Sequence, residues 1–276
     1  MIVDAHHHLW RIGQNGHEWP TPNLGAIYRD FDAAELNAVL TGTGVDATVL
    51  VQSQPADADT QWMLAVAAAI PTIRGVVGWT DLAAPDAPQR IAELARRPKL
   101  KGLRPMLQGL PQDDWITQAA VQPALKAMVE HGLTFDALVF TRHLPFIADI
   151  ARAYPDLAIV IDHGAKPPIA TPEHAPLWRQ RVAEVAAFPN VFCKLSGLVV
   201  EMAPDQPMST LTAYADHLLA EFGAERLIWG SDWPVVDLRS DYRIWLDWTL
   251  DWLSGQPERG KKAILAENAR KFYYLD

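Results

Sequence analysis

The stretch "DFDAAELNAVLTGTGVDATVLVQ" (residues 30–52) decides the fold. Asp32 and Glu35 stand at capping-box spacing, Leu36, Val39 and Leu40 follow at helical spacing, and the glycines of "TGTG" end the run, so a helix is marked at both ends. "DATVLVQ" (46–52) then runs apolar and β-branched without alternation. Such a strand is buried on both faces, as in a parallel sheet covered by helices. The unit is therefore helix and parallel strand in succession.

Outward from this unit the pattern repeats. Toward the N-terminus lie a long loop and the opening strand of "MIVDAHHHLW". Toward the C-terminus come helix "ADTQWMLAVAAAI", strand "IRGVVGW" (73–79), helix "DAPQRIAELARR" (86–97) and strand "LKGLRP" (100–105). A helix starts near Gln122-Pro123, where proline suits the first turn. Strands "LTFDALV" (133–139), "LAIVIDH" (157–163), "VFCKLSG" (191–197) and "RLIWGSD" (226–232) follow. They alternate with helices over 144–154, 176–188, 211–222 and 242–253. Eight βα units predict a (β/α)₈ TIM barrel, a single domain over 1–276, with "PERGKKAILAENARKFY" as an extra C-terminal helix. A doubly wound open sheet is the alternative, but no glycine-rich phosphate loop follows any strand.

Composition narrows the function. Hydrophobic residues make up 49% and charged residues 21% of the 276, as in a compact globular protein. The formal charge of −9, from 24 basic and 33 acidic residues, argues against a nucleic-acid partner. The longest apolar run, Met63 to Ile70, is far short of a membrane span, and no basic, apolar export signal opens the chain. The lone Cys193 excludes an internal disulfide and lies mid-strand as a packing residue; a cytoplasmic protein is expected.

In a barrel of this kind the chemistry lies where strands end and βα-loops begin. Those ends are polar here: His6 and His8 on strand one, Trp79 and Asp81 on strand three, Arg104 on strand four. Strand six ends in Asp162, His163 and Lys166, strand seven carries Lys194 and Ser196, and strand eight ends in Ser231, Asp232 and Trp233. The histidine triplet reads as native rather than as a tag, because it continues an apolar strand into Leu9-Trp10. Alternation along the strand sends His6 and His8 one way and His7 the other. Three imidazoles and a carboxylate at one mouth suit a divalent metal or acid–base work.

With "DAHHHLW" (4–10), "KGLRPML" (101–107), "IDHGAKP" (161–167) and "WGSDWPV" (229–235) in this order, the chain resembles the amidohydrolase superfamily. The likeness is to its branch of lactone hydrolases: sugar-acid lactonases, such as those acting on L-fuconolactone, and pyrone-dicarboxylate and muconolactone-type hydrolases. The resemblance implies a hydrolase opening a small lactone. His6 and His8 match the His-x-His of the first strand, His163 the later histidine, and Asp232 the aspartate ending strand eight. They are the expected catalytic residues and, if a metal is bound, its ligands. The bridging lysine or glutamate of the dinuclear members has no placed counterpart, since the direction of Lys101 is open; one divalent ion, zinc, or none is expected. Decarboxylases of small carboxylic acids share the strand-one and strand-eight set and form the alternative function.

In this reading Asp232 is the general base and His163 polarises the carbonyl, alone or through a metal held with His6 and His8. Arg104, Lys166, Lys194, Asp81, Trp79 and Trp233 are the expected substrate contacts, and the loop after strand one brings His17, Trp19 and Tyr28 over the mouth. Plainer roles stand beside these. His6 and His8 suit buried backbone partners, Asp232 suits turn chemistry, and Arg104 suits an ion pair. Trp229, Trp245, Trp248 and Trp252 read as core or interface, and the tryptophan-rich helix 242–253 is the candidate surface for a homo-oligomer.

Overall fold

In the computed structural model, which describes residues 1–275, eight parallel strands follow one another around the sheet in sequence order. They are β1 (Ile2–His7), β2 (Val45–Val51), β3 (Ile73–Gly78), β4 (Leu100–Leu103), β5 (Thr134–Ala137), β6 (Ile159–Ile161), β7 (Val191–Leu195) and β8 (Leu227–Trp229). Between them run α1 (Ala33–Leu40), α2 (Asp57–Ala69), α3 (Ala87–Leu94), α4 (Gln122–Glu130), α5 (Leu144–Ala153), α6 (Ala175–Ala186) and α7 (Thr212–Phe222), with α8 (Tyr242–Trp252) after β8. This is the (β/α)₈ barrel that the alternation implies.

The local signals act as expected. Asp32 caps α1, its side chain accepting from the amides of Ala34 and Glu35. β2 is buried from Ala47 to Val51, since helices cover one side and the barrel interior the other. Several strands end earlier than their sequence patterns. β6 stops at Ile161 because His163, Gly164, Ala165 and Lys166 all take left-handed backbone angles (φ +55°, +59°, +59° and +51°), which no ladder accommodates.

Closure between β1 and β8 lies beyond the last ladder residue of β8. The Asp232 amide donates to the His6 carbonyl and the His8 amide to the Trp233 carbonyl, each at 2.7 Å. Gly230 permits this approach, because a Cβ there would stand 2.7 Å from the His6 Cβ.

The C-terminal segment comprises α9 (Glu258–Lys262), a π-helical turn (Ala263–Glu267) and α10 (Asn268–Phe272). Ala269, Phe272 and Tyr273 pack against Val3, Ala5, Val49, Val160 and Ile228, filling the barrel end opposite the polar mouth. Lys101 belongs to this end: its ammonium donates to the Tyr274 carbonyl at 3.2 Å, so it does not reach the mouth. Along α8, Trp245 is buried with its indole N–H on the Gly230 carbonyl. Trp248 and Trp252 stack beside it, at centroid distances of 5.2 and 6.1 Å along the row, half-buried on the protein's own side. Among the described residues no helix is long and apolar enough to cross a membrane.

Candidate active site

Strict alternation from Ile2 would put His6 on the same side as Asp4. The β1–β2 register slips between Asp4 and His7, and this shift separates them. Asp4 accepts from the Tyr242 hydroxyl of α8 (3.1 Å) and from the Ser231 amide (2.8 Å), whereas His6 turns inward to Lys194 and Asp162. His8 joins His6, their Nε2 atoms 3.2 Å apart, and His7 turns away to the Thr48 hydroxyl at 3.0 Å. His8 Nδ1 lies 2.8 Å from the Val51 carbonyl, which can only accept, so Nδ1 carries the proton and Nε2 faces the mouth as an acceptor.

Asp232 lies among the imidazoles, its Oδ1 3.4 Å from His8 Nε2, 3.7 Å from His6 Nε2 and 3.9 Å from His163 Nε2. Burial opposes its charge, but His163, His8 and His6 outweigh burial and hold the carboxyl far below the usual range. Burial lowers His163 to about 4 and, with Lys194, drives His6 well down. His163 Nδ1 is fixed on the Ser196 hydroxyl at 2.9 Å. Gly197 makes the room: it has φ +66°, and a Cβ there would come within 2.5 Å of His163 Nδ1 and 3.1 Å of Asp232 Oδ2.

His8, His163 and Asp232 open into a cavity of about 180 Å³, lined also by Arg104 and Lys166 among others, with His6 fully buried behind them. Arg104 donates to Asp162 Oδ2 at 3.2 Å and to the Gln52 carbonyl, which fixes its fork at the wall. Lys166 stands 3.3 Å from Glu201. Trp19 from the first loop completes the lining, while His17 and Tyr28 face one another outside it with ring centroids 6.3 Å apart.

Four expected contacts lie elsewhere. Lys194 is fully buried, with Asp136 Oδ2 at 2.6 Å, Asp162 Oδ1 at 3.0 Å and His6 Nδ1 at 3.1 Å. The strand sends both Lys194 and Ser196 inward, and Ser196 is the upper one; at ~3.3 Å of rise per residue the ammonium is rooted one layer deeper. Trp79 and Asp81 line a neighbouring recess with Pro105 and Trp115. Trp233 is buried, bridged to His7 through backbone and edge-on to Phe31 at 5.3 Å.

Sequence reading assigned no role to several residues that matter here. Asp162 and Ser196 appeared only as polar strand ends, and Gln108, Ser53, Met106, Leu138 and Val235 in the lining were not singled out. Asp136 had a signal: it is the one charge in the strand "LTFDALV", and a buried carboxylate needs a partner. That partner is Lys194, together with the Tyr273 hydroxyl at 2.6 Å. Cys193 is buried, and burial pushes its thiol far up, as suits a packing residue.

Two donor sets fit a divalent cation: His6, His8 and Asp232, and His6, Asp162 and His163, each with ligand atoms within 4.8 Å of one another. The barrel mouth thus gathers three histidines and an aspartate as a candidate active site. The chain belongs to the amidohydrolase family, whose model matches residues 3–275. It is 46% identical over 280 residues to an L-fucono-1,5-lactonase of Burkholderia ambifaria, covering 99% of this chain and 96% of that one. It is 33% identical to an L-fucono-1,5-lactonase of Burkholderia multivorans, covering 88% and 85%. A crystal structure of a Burkholderia multivorans amidohydrolase with bound zinc superposes with a TM-score of 0.94 at 30% identity over all of both chains.

Proposed function

We propose that the protein hydrolyses the ring ester of a small sugar-acid lactone of the L-fucono-1,5-lactone kind. The observation that carries this is the Asp232 carboxylate, ringed by His6, His8 and His163 at the edge of a cavity of monosaccharide dimensions. The lactonase names of the relatives at 46% and 33% identity support the same reading.

Asp232 accepts a proton from the attacking water as the water oxygen bonds to the lactone carbonyl carbon. Its carboxyl is held far below the usual range, so it is ionised and able to accept a proton at neutral pH. Donors at the wall, Arg104 and His163, face the oxygen on which negative charge grows. Collapse of the tetrahedral intermediate breaks the ring carbon–oxygen bond, and Asp232 returns its proton to the departing alkoxide. The product is a hydroxy acid that ionises, so each turnover releases a proton. Lys166, beside Glu201 at the rim, orients the substrate hydroxyls. A divalent ion, when bound, would be held by His6, His8 and Asp232 or by His6, Asp162 and His163, and supplies Lewis-acid polarisation of the carbonyl; zinc is our choice. The solved decarboxylases similar to this chain, at 16% and 13% identity, share its fold alone, whereas the lactonase relatives stand at 46% and 33%.

The test is proton release, followed with a pH indicator, from a panel of aldono-1,4- and 1,5-lactones by wild type and Asp232→Asn. Turnover on a lactone that collapses in the variant is the expected result. Absence of proton release from every lactone in the panel overturns the assignment.

A further inference from the structure

His6 is the one imidazole of the mouth with a cation near each ring nitrogen. Lys194 Nζ lies 3.1 Å from Nδ1, and Arg104 Nη1 lies 3.4 Å from Nε2. Both cations only donate, so one of the two contacts must be an unfavourable donor–donor contact in a neutral ring. His8 decides which. Its Nδ1 proton is committed to the Val51 carbonyl, so its Nε2 presents a lone pair to His6 Nε2 at 3.2 Å. With the His6 proton on Nε2, two short contacts, at 3.1 and 3.2 Å, are satisfied and the 3.4 Å contact is not. With the proton on Nδ1, only the long contact is satisfied and both short ones oppose. The Nδ1 proton would find only the longer contact to Asp162 Oδ1, 3.4 Å away, an oxygen whose charge the Lys194 ammonium already meets at 3.0 Å. Arg104 does not depend on His6, since Asp162 Oδ2 and the Gln52 carbonyl receive its N–H groups.

We propose that Lys194 is a positioning residue that fixes His6 as its Nε2–H tautomer, so that the metal-free mouth carries an ordered chain from Lys194 through His6 to His8. In this state His6 presents a hydrogen-bond donor, not a lone pair, beside Asp232. An ion held by His6, His8 and Asp232 needs the Nε2 lone pair of His6, because that is the atom facing the other two. Binding it drives the proton to Nδ1, against the Lys194 ammonium. Lys194 thus opposes metal at His6 and favours the imidazole N–H that His6 donates to His8.

Long-range ¹H–¹⁵N spectra of the metal-free, ¹⁵N-histidine-labelled enzyme report the tautomer directly, with His6 assigned from His6→Asn. A protonated Nε2 and an unprotonated Nδ1 are expected; the reverse pattern overturns the proposal. In Lys194→Met the His6 pattern should move toward Nδ1–H, and zinc affinity, measured by chelator competition with zinc alone, should rise about 10- to 100-fold. Lys194→Arg, which keeps the donors, should retain the wild-type pattern. Should Lys194→Met not fold, Asp136→Asn/Lys194→Met removes the partner charge as well and is read the same way. A His6 spectrum unchanged by loss of Lys194 overturns the assignment whatever happens to activity. These readouts do not require a substrate, so they stand apart from the lactonase test.

Discussion

Asp232 and His163 both hold left-handed backbone angles, φ +59° and +55°, which side-chain-bearing residues adopt at a cost of about 1–2 kcal/mol each. The cost is tolerated where the fold over-determines the conformation, and here it turns both side chains into one cavity. Asp232→Asn keeps the shape but removes the base. Turnover should fall about 10²- to 10⁴-fold with an unchanged far-ultraviolet spectrum, measured side by side. Gly197→Ala tests the support: its Cβ would press on His163 Nδ1 at 2.5 Å with φ at +66°. It should lower kcat and cost roughly 1–3 kcal/mol in urea unfolding. At this scale much of the site was legible. His6, His8, His163, Asp232, Arg104 and Lys166 carry their chemistry in their identity and fall at strand ends. Lys194 misled because a lysine near a strand end reads as a mouth residue, while its depth depends on which of two inward positions it occupies.

Among the elements, the β2–α2 connection shows how a charge is retained inside. Asp59 accepts from the amides of Ser53 and Gln54 through a single oxygen, at 3.0 and 3.1 Å, and burial raises its carboxyl to about 6. The folded state therefore holds this proton more tightly than the unfolded chain. Its contribution is fully present below the unfolded value of 3.8 and is lost as pH rises through about 6. Asp59→Asn retains an oxygen for both amides and removes that dependence. The stability of wild type relative to Asp59→Asn should thus increase between pH 7 and pH 4, by up to about 3 kcal/mol, in parallel denaturant titrations. A difference independent of pH would refute the reading. The strands and helices themselves follow period and caps, which act over a few residues and are visible in sequence. The slip in β1 was not visible, because register is a property of two strands, and without it His6 would face outward with Asp4.

For the whole molecule, the two ends of the barrel are linked through its interior. Tyr273, just after α10 in the segment filling one end, donates to Asp136 at 2.6 Å; Asp136 accepts from Lys194, and Lys194 touches His6 at the other end. Tyr273→Phe leaves the buried Asp136 one donor fewer, so unfolding in urea should shift by about 1–3 kcal/mol. The loss should be smaller when measured in a background already lacking Asp136 and Lys194; equal loss in both backgrounds would show that the hydroxyl does not act through this network.

The sequence by itself determined the alternation of eight strands with covering helices, the helix boundaries set by Asp32 and Pro123, and the residues that end the strands in chemistry. These depend on side-chain identity and on spacing within one segment. Only the tertiary structure decided which polar residues share the mouth, which of Lys194 and Ser196 lies beneath the other, and that Trp79, Asp81 and Trp233 do not line the cavity. Barrel closure brings Asp232 to His6 across more than two hundred residues through backbone hydrogen bonds, and the strand register sets the depth of every inward side chain. Such geometry arises between segments, where no local pattern records it.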